Sequence, residues 1–380
     1  MPCDRYDKDL IKEKIAGALE TIGGPEKIIG KDEKVLLKLN LVRSAPPERA
    51  VTTHPAVAAA TAELLREVGY SHVSAGDSCG FGSSVKCMQS VGMAAELQAA
   101  GAKLAEFKDA VKVDFPEGVH AKSFMIASDI LDADAVISVC KMKTHALEHI
   151  TGAVKNQYGC VQGVNKAKGH TVYPSAESFG RMLIDLNRFV NPRLFIMDGI
   201  VAMEGNGPTS GDPVPMNLLM LSTDPVALDT VFAHLVHLDP DIVPTIFYGN
   251  QMGLGTSKKE DISLILFEDA AQEAREISFQ EAYECFGNPD FNVVRKRQKA
   301  KGLMGAVDIF QVFRKRPYIV EDRCKKCGIC VESCPVEGKA LRFSKGRDHV
   351  PVYHYKKCIR CFCCQEMCPH KAISVKGRGN

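Results

Sequence analysis

The chain has 380 residues, a formal net charge of +2 and a hydrophobic content of 45%, enough for one large or two medium-sized domains plus a small module. No apolar run is long enough to span a bilayer, and the charged N-terminal stretch lacks the apolar core of a signal peptide. We therefore expect a cytoplasmic protein with no membrane partner, whose 15 cysteines serve a metal rather than disulfides.

Predicted helices and strands alternate along the first part of the chain. Apolar spacing predicts a helix over residues 8–22, ended by Gly23, and a buried strand from Lys34 to Val42. A helix that ends at Gly69 follows, then a short strand and a single helix from Ser84 to Ala100. This alternation, with glycine at helix ends, predicts a large α/β domain with a mainly parallel sheet.

The later elements continue this pattern less regularly. Further strands are predicted at residues 103–107, 111–115, from 133 onward, and at 193–200, 217–222 and 262–267. Helices are predicted over Ser175–Val190 and from Asp224, which is the expected cap before Pro225. The α/β domain is predicted to span residues 1–287, because residues 288–317 are basic and irregular and suit a linker.

Two polar stretches directly follow predicted strands. Asn40 lies at the carboxyl end of its strand, where α/β sheets place ligands. Asp77 begins a loop that contains Gly80 and Gly82, and a glycine-rich loop that enters a helix can bind an anion through backbone N–H groups. The same loop also suits a plain tight turn, and it matches no nucleotide-binding motif.

A third stretch, from Lys141 to Val161, concentrates basic residues after a buried strand. We predict that Lys143, His145 and Lys155 bind a carboxylate or phosphate or transfer protons, with Asn156 beside them. These three are the candidate catalytic residues. A solvated basic loop is the simpler alternative.

The end of this stretch, TGAVKN, suits the start of a helix. Thr151 is the expected cap, Gly152 allows close approach, and Lys155 can share a helix face with Thr151. His145 and His149 are alternatively metal ligands, although no carboxylate pairing singles them out.

A fourth stretch, from Met197 to Pro213, carries Asp198 and Glu204 on a glycine-rich segment after a strand. Such a carboxylate pair can hold a cation or do acid–base work, and a turn-rich surface loop is the alternative. Asp229 lies inside the helix that follows Asp224 and can face inward. Asn40, Asp77, Asn156, Asp198 and Glu204 are therefore the candidate residues for positioning a substrate, cofactor or divalent metal.

Two runs near the C-terminus share the spacing C-x2-C-x2-C-x3-C-P, with which bacterial ferredoxins hold two [4Fe–4S] clusters. The fourth cysteine of each run crosses to the other cluster. The predicted ligands are Cys324, Cys327, Cys330 and Cys368 for the first cluster, and Cys334, Cys358, Cys361 and Cys364 for the second. Zinc usually takes two separated C-x2-C pairs, and disulfides suit exported chains. Cys363 is predicted to be a spectator.

Strand candidates around these runs predict a small α+β ferredoxin-like domain over residues 318–380. From Tyr318 to Asn380 there are 13 Lys and Arg against 6 Asp and Glu. This positive charge offsets part of the negative charge of bound clusters, and it can dock an acidic electron carrier of the ferredoxin or flavodoxin type. No nucleic-acid partner is expected, because the basic residues form no recognisable binding motif.

Several of these motifs together resemble a known family. GDS after a strand, KTHALEHITGAVKNQYG, DGIVAMEGNGPTSG and STDPVALDTV are similar to the family called domain of unknown function 362. Members fused to a ferredoxin module are called uncharacterised iron–sulfur centre proteins. The resemblance covers nearly the whole chain and implies a cytoplasmic iron–sulfur protein with no established reaction. Apart from Cys363, the sequence follows the family pattern.

Three functions fit these observations. The first is an oxidoreductase in which a carrier feeds two clusters and the α/β domain reduces a small anionic substrate. The second is an electron-transfer or scaffold subunit that docks on a partner enzyme. The third is a non-redox enzyme with structural or sensory clusters. A flavin can bridge one-electron and two-electron chemistry, but no flavin motif is legible in the sequence.

Overall fold

The structure of the protein is a computed structural model, and it describes residues 1–295 except 81, 270 and 272, together with residues 315–376. The strands are β1 (Val35–Lys38), β2 (Val73–Gly76), β3 (Lys103–Leu104), β4 (Ala110–Asp114), β5 (Ser123–Ala127), β6 (Ala135–His145), β7 (His149–Thr151), β8 (Leu194–Glu204), β9 (Asp212–Ser222), β10 (Leu264–Leu266), β11 (Arg275–Ile277), β12 (Arg316–Ile319), β13 (Leu341–Arg342), β14 (Val352–Tyr353) and β15 (Ile373–Lys376).

The helices are α1 (Lys8–Thr21), α2 (Pro55–Glu67), α3 (Ser84–Ser90), α4 (Met93–Ala99), α5 (Ser128–Leu131), α6 (Ala153–Asn156), α7 (Val164–Val172), α8 (Ala176–Val190), α9 (Pro225–Leu235), α10 (Pro244–Gln251), α11 (Phe279–Phe286), α12 (Ile329–Glu332) and α13 (Cys363–Glu366). Short 3₁₀ turns cover Pro25–Lys27, Pro47–Arg49, Gln157–Cys160, Pro240–Ile242, Lys259–Asp261 and Glu321–Arg323. Within the described ranges, no helix is both long enough and apolar enough to cross a membrane.

The main sheet has the strand order β3-β2-β1-β6-β8-β9, and β7 folds back onto β6. Strands β1, β2, β3, β6 and β8 are parallel neighbours, whereas β9 is antiparallel to β8. The predicted α/β domain with a mainly parallel sheet is confirmed. Lys38 pairs with both Gly76 and Ser138, so the carboxyl ends of β1 and β2 lie beside the middle of β6.

Two apolar layers cover the two faces of this sheet. Alternate residues of a strand point to opposite faces, and in β6 Ile137 and Val139 pack into the layer with α1 and α2, whereas Cys140 and Met142 pack into the layer with α8 and α9. All four of these β6 residues are at most 1% exposed. Strand β6 is therefore packed on both faces of the sheet, and its polar end follows this packed part.

Side-chain caps fix where several helices begin. Asp224 accepts hydrogen bonds from the N–H groups of Val226 (2.7 Å) and Ala227 (2.9 Å), as expected for the residue before Pro225. The single helix expected from Ser84 to Ala100 is instead two helices. Gly92 interrupts it, because its φ of +76° is a left-handed conformation that ends α3 before α4 begins.

The cap of α6 also differs from the sequence-based expectation. Thr151 lies in β7, and its hydroxyl has no hydrogen-bond partner among the described residues. Asp229 of α9 caps the helix instead, because its carboxylate accepts from the N–H groups of Ala153 (2.6 Å) and Val154 (3.1 Å). Burial, opposed by these two hydrogen bonds, raises the pKa of Asp229 to about 7. The cap of α6 is thus a buried aspartate from α9 and not the neighbouring Thr151.

The C-terminal module contains two antiparallel strand pairs, β12 with β15 and β13 with β14. Short helices α12 and α13 each follow a cysteine loop, which confirms the small α+β domain. In the predicted linker, Phe291 is fully buried against Phe232, and the Arg295 guanidinium donates to the Phe291 carbonyl. Residues 288–295 are therefore packed on the α/β domain, and residues 296–314 lie outside the described part.

Candidate functional site

A buried ion pair joins the ends of β1 and β2. Lys38 Nζ lies 2.9 Å from Asp77 Oδ1, and both side chains are at most 4% exposed. Lys38 also donates to the carbonyls of Leu39 and Asn156, each at 2.7 Å, while Asp77 Oδ2 accepts from the N–H of Leu41 at 2.8 Å. The buried charges of Lys38 and Asp77 thus face each other and accept or donate further hydrogen bonds, which a buried ion pair requires.

Asn40 and Asn156 extend this network to Lys143. The Asn40 amide donates to Asn156 Oδ1 at 2.9 Å, and Asn40 Oδ1 accepts from Lys143 Nζ at 2.7 Å. Lys143 also donates to the Val51 carbonyl at 2.6 Å. Four predicted site residues, Asn40, Asp77, Lys143 and Asn156, therefore share one hydrogen-bond network.

Lys143 is a fully buried amine whose hydrogen-bond partners are both neutral oxygens. Burial first, and then the positive charges of Lys155 and Lys141, hold the pKa of Lys143 well below its usual range. Burial of this kind favours the neutral form of a lysine, which is the form that can accept a proton. The sequence predicted that strand β6 ends before these residues, whereas β6 continues to His145 and β7 pairs with its end.

His145 connects this site to the cysteine-rich module. Its Nδ1 accepts from the N–H groups of Leu147 (3.2 Å) and Glu148 (3.1 Å), so the ring proton lies on Nε2, which is 2.9 Å from Glu366 Oε1. Burial, followed by the charge of Lys155, lowers the pKa of His145 to about 4. His145 is therefore neutral at pH 7, with Nε2 in contact with the Glu366 carboxylate.

Glu366 is an anion held among basic groups. Burial alone raises the pKa of its carboxyl, but His145, Lys155 and His170 outweigh this effect and bring the pKa well below its usual range. The residue lies in α13, directly after the second cysteine loop. The basic site, defined here as His145, Lys155, His170 and the groups they face, thus receives a carboxylate from the module.

Lys155 and Glu148 complete the basic site. Lys155 is half-buried, with Nζ 6.0 Å from the centre of the Tyr158 ring. Glu148 is fully buried, and neither carboxyl oxygen has a hydrogen-bond partner in the described ranges. Burial raises the pKa of Glu148 well above its usual range, and the charge of Lys155 opposes this rise. Sequence reasoning missed Glu148, although it stands between His145 and His149.

His149 does not share a site with His145. Its Nδ1 lies 2.8 Å from the Val294 carbonyl, whereas His145 faces Glu366. The two rings pair across β6 and β7 but have different partners, and this arrangement does not favour a metal site between them.

Asp198 and Glu204 also have separate partners. Asp198 lies in β8, 2.7 Å from Lys141 Nζ, and it accepts from the Tyr6 hydroxyl at 3.0 Å. Glu204 accepts from the N–H of Asn292 at 2.7 Å. The structure does not bring the two carboxylates together, because six positions along one strand separate them by roughly 15–20 Å. The expected shared cation site is absent from this segment.

The four thiols predicted for the first cluster line one recess. Cys324, Cys327, Cys330 and Cys368 all border it, and the N–H of Ala372 donates to Cys368 Sγ at 3.3 Å. Burial raises the pKa of Cys330 to about 12, and the thiols of Cys368, Cys324 and Cys327 add to this effect. A bound cluster would replace this mutual repulsion with bonds to iron, so the residues fit the group.

The second set of thiols has similar support. The N–H of Ala340 donates to Cys334 Sγ at 3.3 Å, and the Tyr353 hydroxyl lies 3.1 Å from Cys364 Sγ. Burial raises the pKa of Cys358, and Cys361 and Cys334 add to that rise. Hydrogen bonds to sulfur are the contacts by which proteins tune iron–sulfur clusters.

The two modules are matched by known families. The sequence model described as a domain of unknown function, DUF362, matches residues 35–234, more than half of the 380 residues. The chain belongs to the DUF362 family. A second model, described as a 4Fe-4S dicluster domain, matches residues 316–369 of this DUF362 protein. The resemblance derived from the sequence motifs is confirmed, and the chain is an iron–sulfur protein.

Two further similarities were found. The DUF362 protein is 36% identical to the thylakoid-associated protein sll1697 of Synechocystis sp. over 257 residues, 67% of this chain and 79% of that protein. It also has a TM-score of 0.39 and 12% identity with the lactate racemase apoprotein from Thermoanaerobacterium thermosaccharolyticum. That match covers 58% of this chain and 53% of the racemase chain, so the DUF362 protein spans about half of that structure.

Proposed function

We propose that this DUF362 protein is an oxidoreductase that passes electrons through two [4Fe–4S] clusters to a small anionic substrate at the basic site. The observation that carries the proposal is the contact between His145 and Glu366, at 2.9 Å. It puts a carboxylate from the second cysteine run beside His145, Lys155 and His170. A small anion that binds at Lys155 would therefore lie beside the second set of cluster thiols.

The clusters, held by the two sets of four cysteines, would supply electrons one at a time. The residues of the α/β domain would do the rest. Lys155 supplies the positive charge for the substrate anion, and His145 Nε2 holds the Glu366 carboxylate beside it. Glu148 is the proton donor, because burial favours its acid form and its oxygens have no partner in the described part.

Electrons would enter at the first cluster loop. Lys325, Lys326 and Cys327 are all exposed there, whereas Cys330 and Cys368 are buried. Two lysines beside an exposed ligand suit an acidic electron carrier of the ferredoxin or flavodoxin type. The same surface is also what an electron-transfer subunit would present to a partner enzyme, which is the second candidate function.

The test is anaerobic turnover of the reconstituted full-length protein. The clusters are reduced with dithionite, excess reductant is removed, and small carboxylates and phosphate esters are added one at a time while visible absorbance is followed. We expect at least one acid to reoxidise the clusters faster than buffer alone, and Lys155→Met to slow that reaction. No acceleration by any acid, together with a stoichiometric protein partner, would favour the subunit. Activity that survives Cys324→Ala would favour a non-redox enzyme.

A further inference from the structure

The turn between β8 and β9 collects three cationic side chains. The Arg43 guanidinium donates to the Thr209 carbonyl at 3.2 Å, and the Arg49 guanidinium donates to the Gly211 carbonyl at 3.4 Å. Lys371 of the cluster module donates to the same Gly211 carbonyl at 2.8 Å. Two positive charges therefore meet at one carbonyl oxygen, and a third is bonded to the carbonyl two residues earlier.

Negative charge at this turn is too small to balance the cations. In the described part of the chain, the hydrogen-bond acceptors of Arg43 and Arg49 are all backbone carbonyls, including that of Ser44 at 3.2 Å. Lys371 lies 3.0 Å from Asp212 Oδ1, and the Asp212 side chain is 77% exposed. Three cations against one carboxylate, +3 and −1, leave a local charge of +2. Like charges this close repel one another unless an anion offsets them.

Three hydrogen-bond donors at the same turn are buried and have no partner within the described ranges. They are Arg43 Nε, Arg49 Nε and Ser210 Oγ. Ser210 is 4% exposed, and it stands between the two residues whose carbonyls accept from the arginines. Each buried donor without an acceptor costs about 1–3 kcal/mol. Three of them at one turn indicate an acceptor from outside the chain.

The cations at this turn can be reached from solvent. Arg43 and Arg49 are half-buried, and the Lys371 side chain is 23% exposed. The turn also lies at the boundary with the cluster module, because the Thr209 hydroxyl donates to the Glu366 carbonyl at 2.6 Å. An anion bound here would therefore contact both the α/β domain and the module.

We propose that this turn is a second anion site, which binds a doubly charged oxyanion such as phosphate or a phosphoryl group. The groups that hold it are Arg43, Arg49, Ser210 and Lys371. A dianion matches the local charge of +2, and the planar guanidinium fork suits phosphate oxygens. The glycine-rich stretch Met197–Pro213, expected to hold a cation, would thus bind an anion at its far end. The inference goes beyond the proposed electron-transfer role and does not depend on it.

Inorganic phosphate is the probe for this site. The reconstituted full-length protein is unfolded anaerobically by heat at increasing phosphate concentrations, with sodium chloride adjusted to keep the ionic strength constant. A ligand that binds only the folded state raises Tm in a saturable manner. We expect this rise in the wild type and its loss in Arg49→Gln. Ser210→Ala should weaken the apparent Kd about 10- to 100-fold, which corresponds to one hydrogen bond to a charged group. Equal or tighter binding of glycerol 3-phosphate would identify a phosphate ester rather than the free ion as the ligand.

Arg66→Gln is the matched control and should keep the wild-type response to phosphate. Arg66 is exposed and also donates to backbone carbonyls, those of Tyr70 and Ser71. Iron content checks that each variant folds and holds its clusters. A response that is lost in Lys155→Met but kept in Arg49→Gln would put the anion at the basic site, which overturns the second site and supports the proposed function. A wild type without a saturable response would also overturn it and would leave the cations as counter-charges of the clusters.

Discussion

His145 Nε2 and Glu366 Oε1 lie 2.9 Å apart, across the boundary between the α/β domain and the cluster module. Both side chains are largely buried, and neighbouring hydrogen bonds hold the two segments together. Gln365 donates to the Asn206 carbonyl at 2.9 Å, and Thr209 donates to the Glu366 carbonyl at 2.6 Å. The module is therefore docked by buried polar contacts rather than tethered loosely.

We expect Glu366→Gln to weaken this docking. Glu366 is an anion buried in contact with His145, and loss of its charge leaves these buried polar groups poorly matched, so the free energy of unfolding should fall by about 1–3 kcal/mol. Glu332 occupies the equivalent position in the first cysteine run and is exposed, so Glu332→Gln is the matched control. Anaerobic thermal unfolding of both variants measures the difference. Equal unfolding temperatures would show that the His145 contact does not stabilise the interface.

The cluster assignment predicts different iron contents for two adjacent cysteines. Cys364→Ala should lose about four iron and four sulfide, because it removes a predicted ligand of the second cluster. Cys363→Ala should keep the wild-type content, since Ile329 stands at the equivalent place in the first run. Iron and sulfide analysis after anaerobic reconstitution measures both. Equal losses in the two variants would contradict the assignment of Cys363 as a spectator.

The stability of the α/β domain should fall in mild acid, partly because of His54. Burial, opposed mainly by the charge of Asp198, lowers the pKa of His54 to about 4. The unfolded chain then binds more protons between the folded pKa and the ordinary value of about 6.5, so stability falls as pH decreases through that window. The ring is partly exposed, which reduces the effect to about 1–2 kcal/mol.

His54→Asn tests this pH dependence. His54 Nδ1 caps α2 by accepting from the N–H of Ala56 at 3.2 Å, and asparagine can keep that cap without titrating. Anaerobic unfolding between pH 7.5 and 5.5 should show a smaller loss of stability in the variant than in the wild type. His72→Asn, at an exposed position, is the control. Identical pH profiles would rule out His54 as a contributor.

Replacing Glu148 should stabilise the folded protein and slow the proposed reaction. An unpaired buried polar group costs about 1–3 kcal/mol, so Glu148→Met should raise the free energy of unfolding by about that amount. Because the folded pKa is raised, the wild type loses stability as pH rises above the ordinary glutamate value, and the gain in the variant should grow with pH. Loss of a proton donor should slow substrate-driven cluster reoxidation about 10²–10⁴-fold. A variant that is both less stable and fully active would refute this role.

Sequence reasoning located the residues whose place is set by local pattern. Asn40 and Asp77 follow β1 and β2, and parallel strands bring their carboxyl ends to one edge, so the two residues meet in one network. Asp224 caps its helix as the following Pro225 predicted. These features depend on a few consecutive residues and on the geometry of a parallel sheet.

Features that depend on contacts between residues far apart along the chain could not be predicted from the sequence. The polar end of β6 looks like a loop, yet Lys141 remains in the strand because Asp198 and Tyr6 compensate its charge from other elements. Asp229 replaces Thr151 as the cap of α6 for the same reason. Glu366 looks like an ordinary surface residue of a cysteine run, and only the docked module shows that it faces His145.

The docking of the cluster module predicts which residues should differ between homologues with and without that module. A relative that lacks the cysteine runs would leave His145, Asn206 and Thr209 without their present partners and exposed to water. These three positions should therefore change together in unfused chains, whereas the inner pair of Lys38 and Asp77 should not. Comparing homologues with and without the cysteine runs at these sites would show when, in the evolution of the family, the α/β domain was fused to the cluster module.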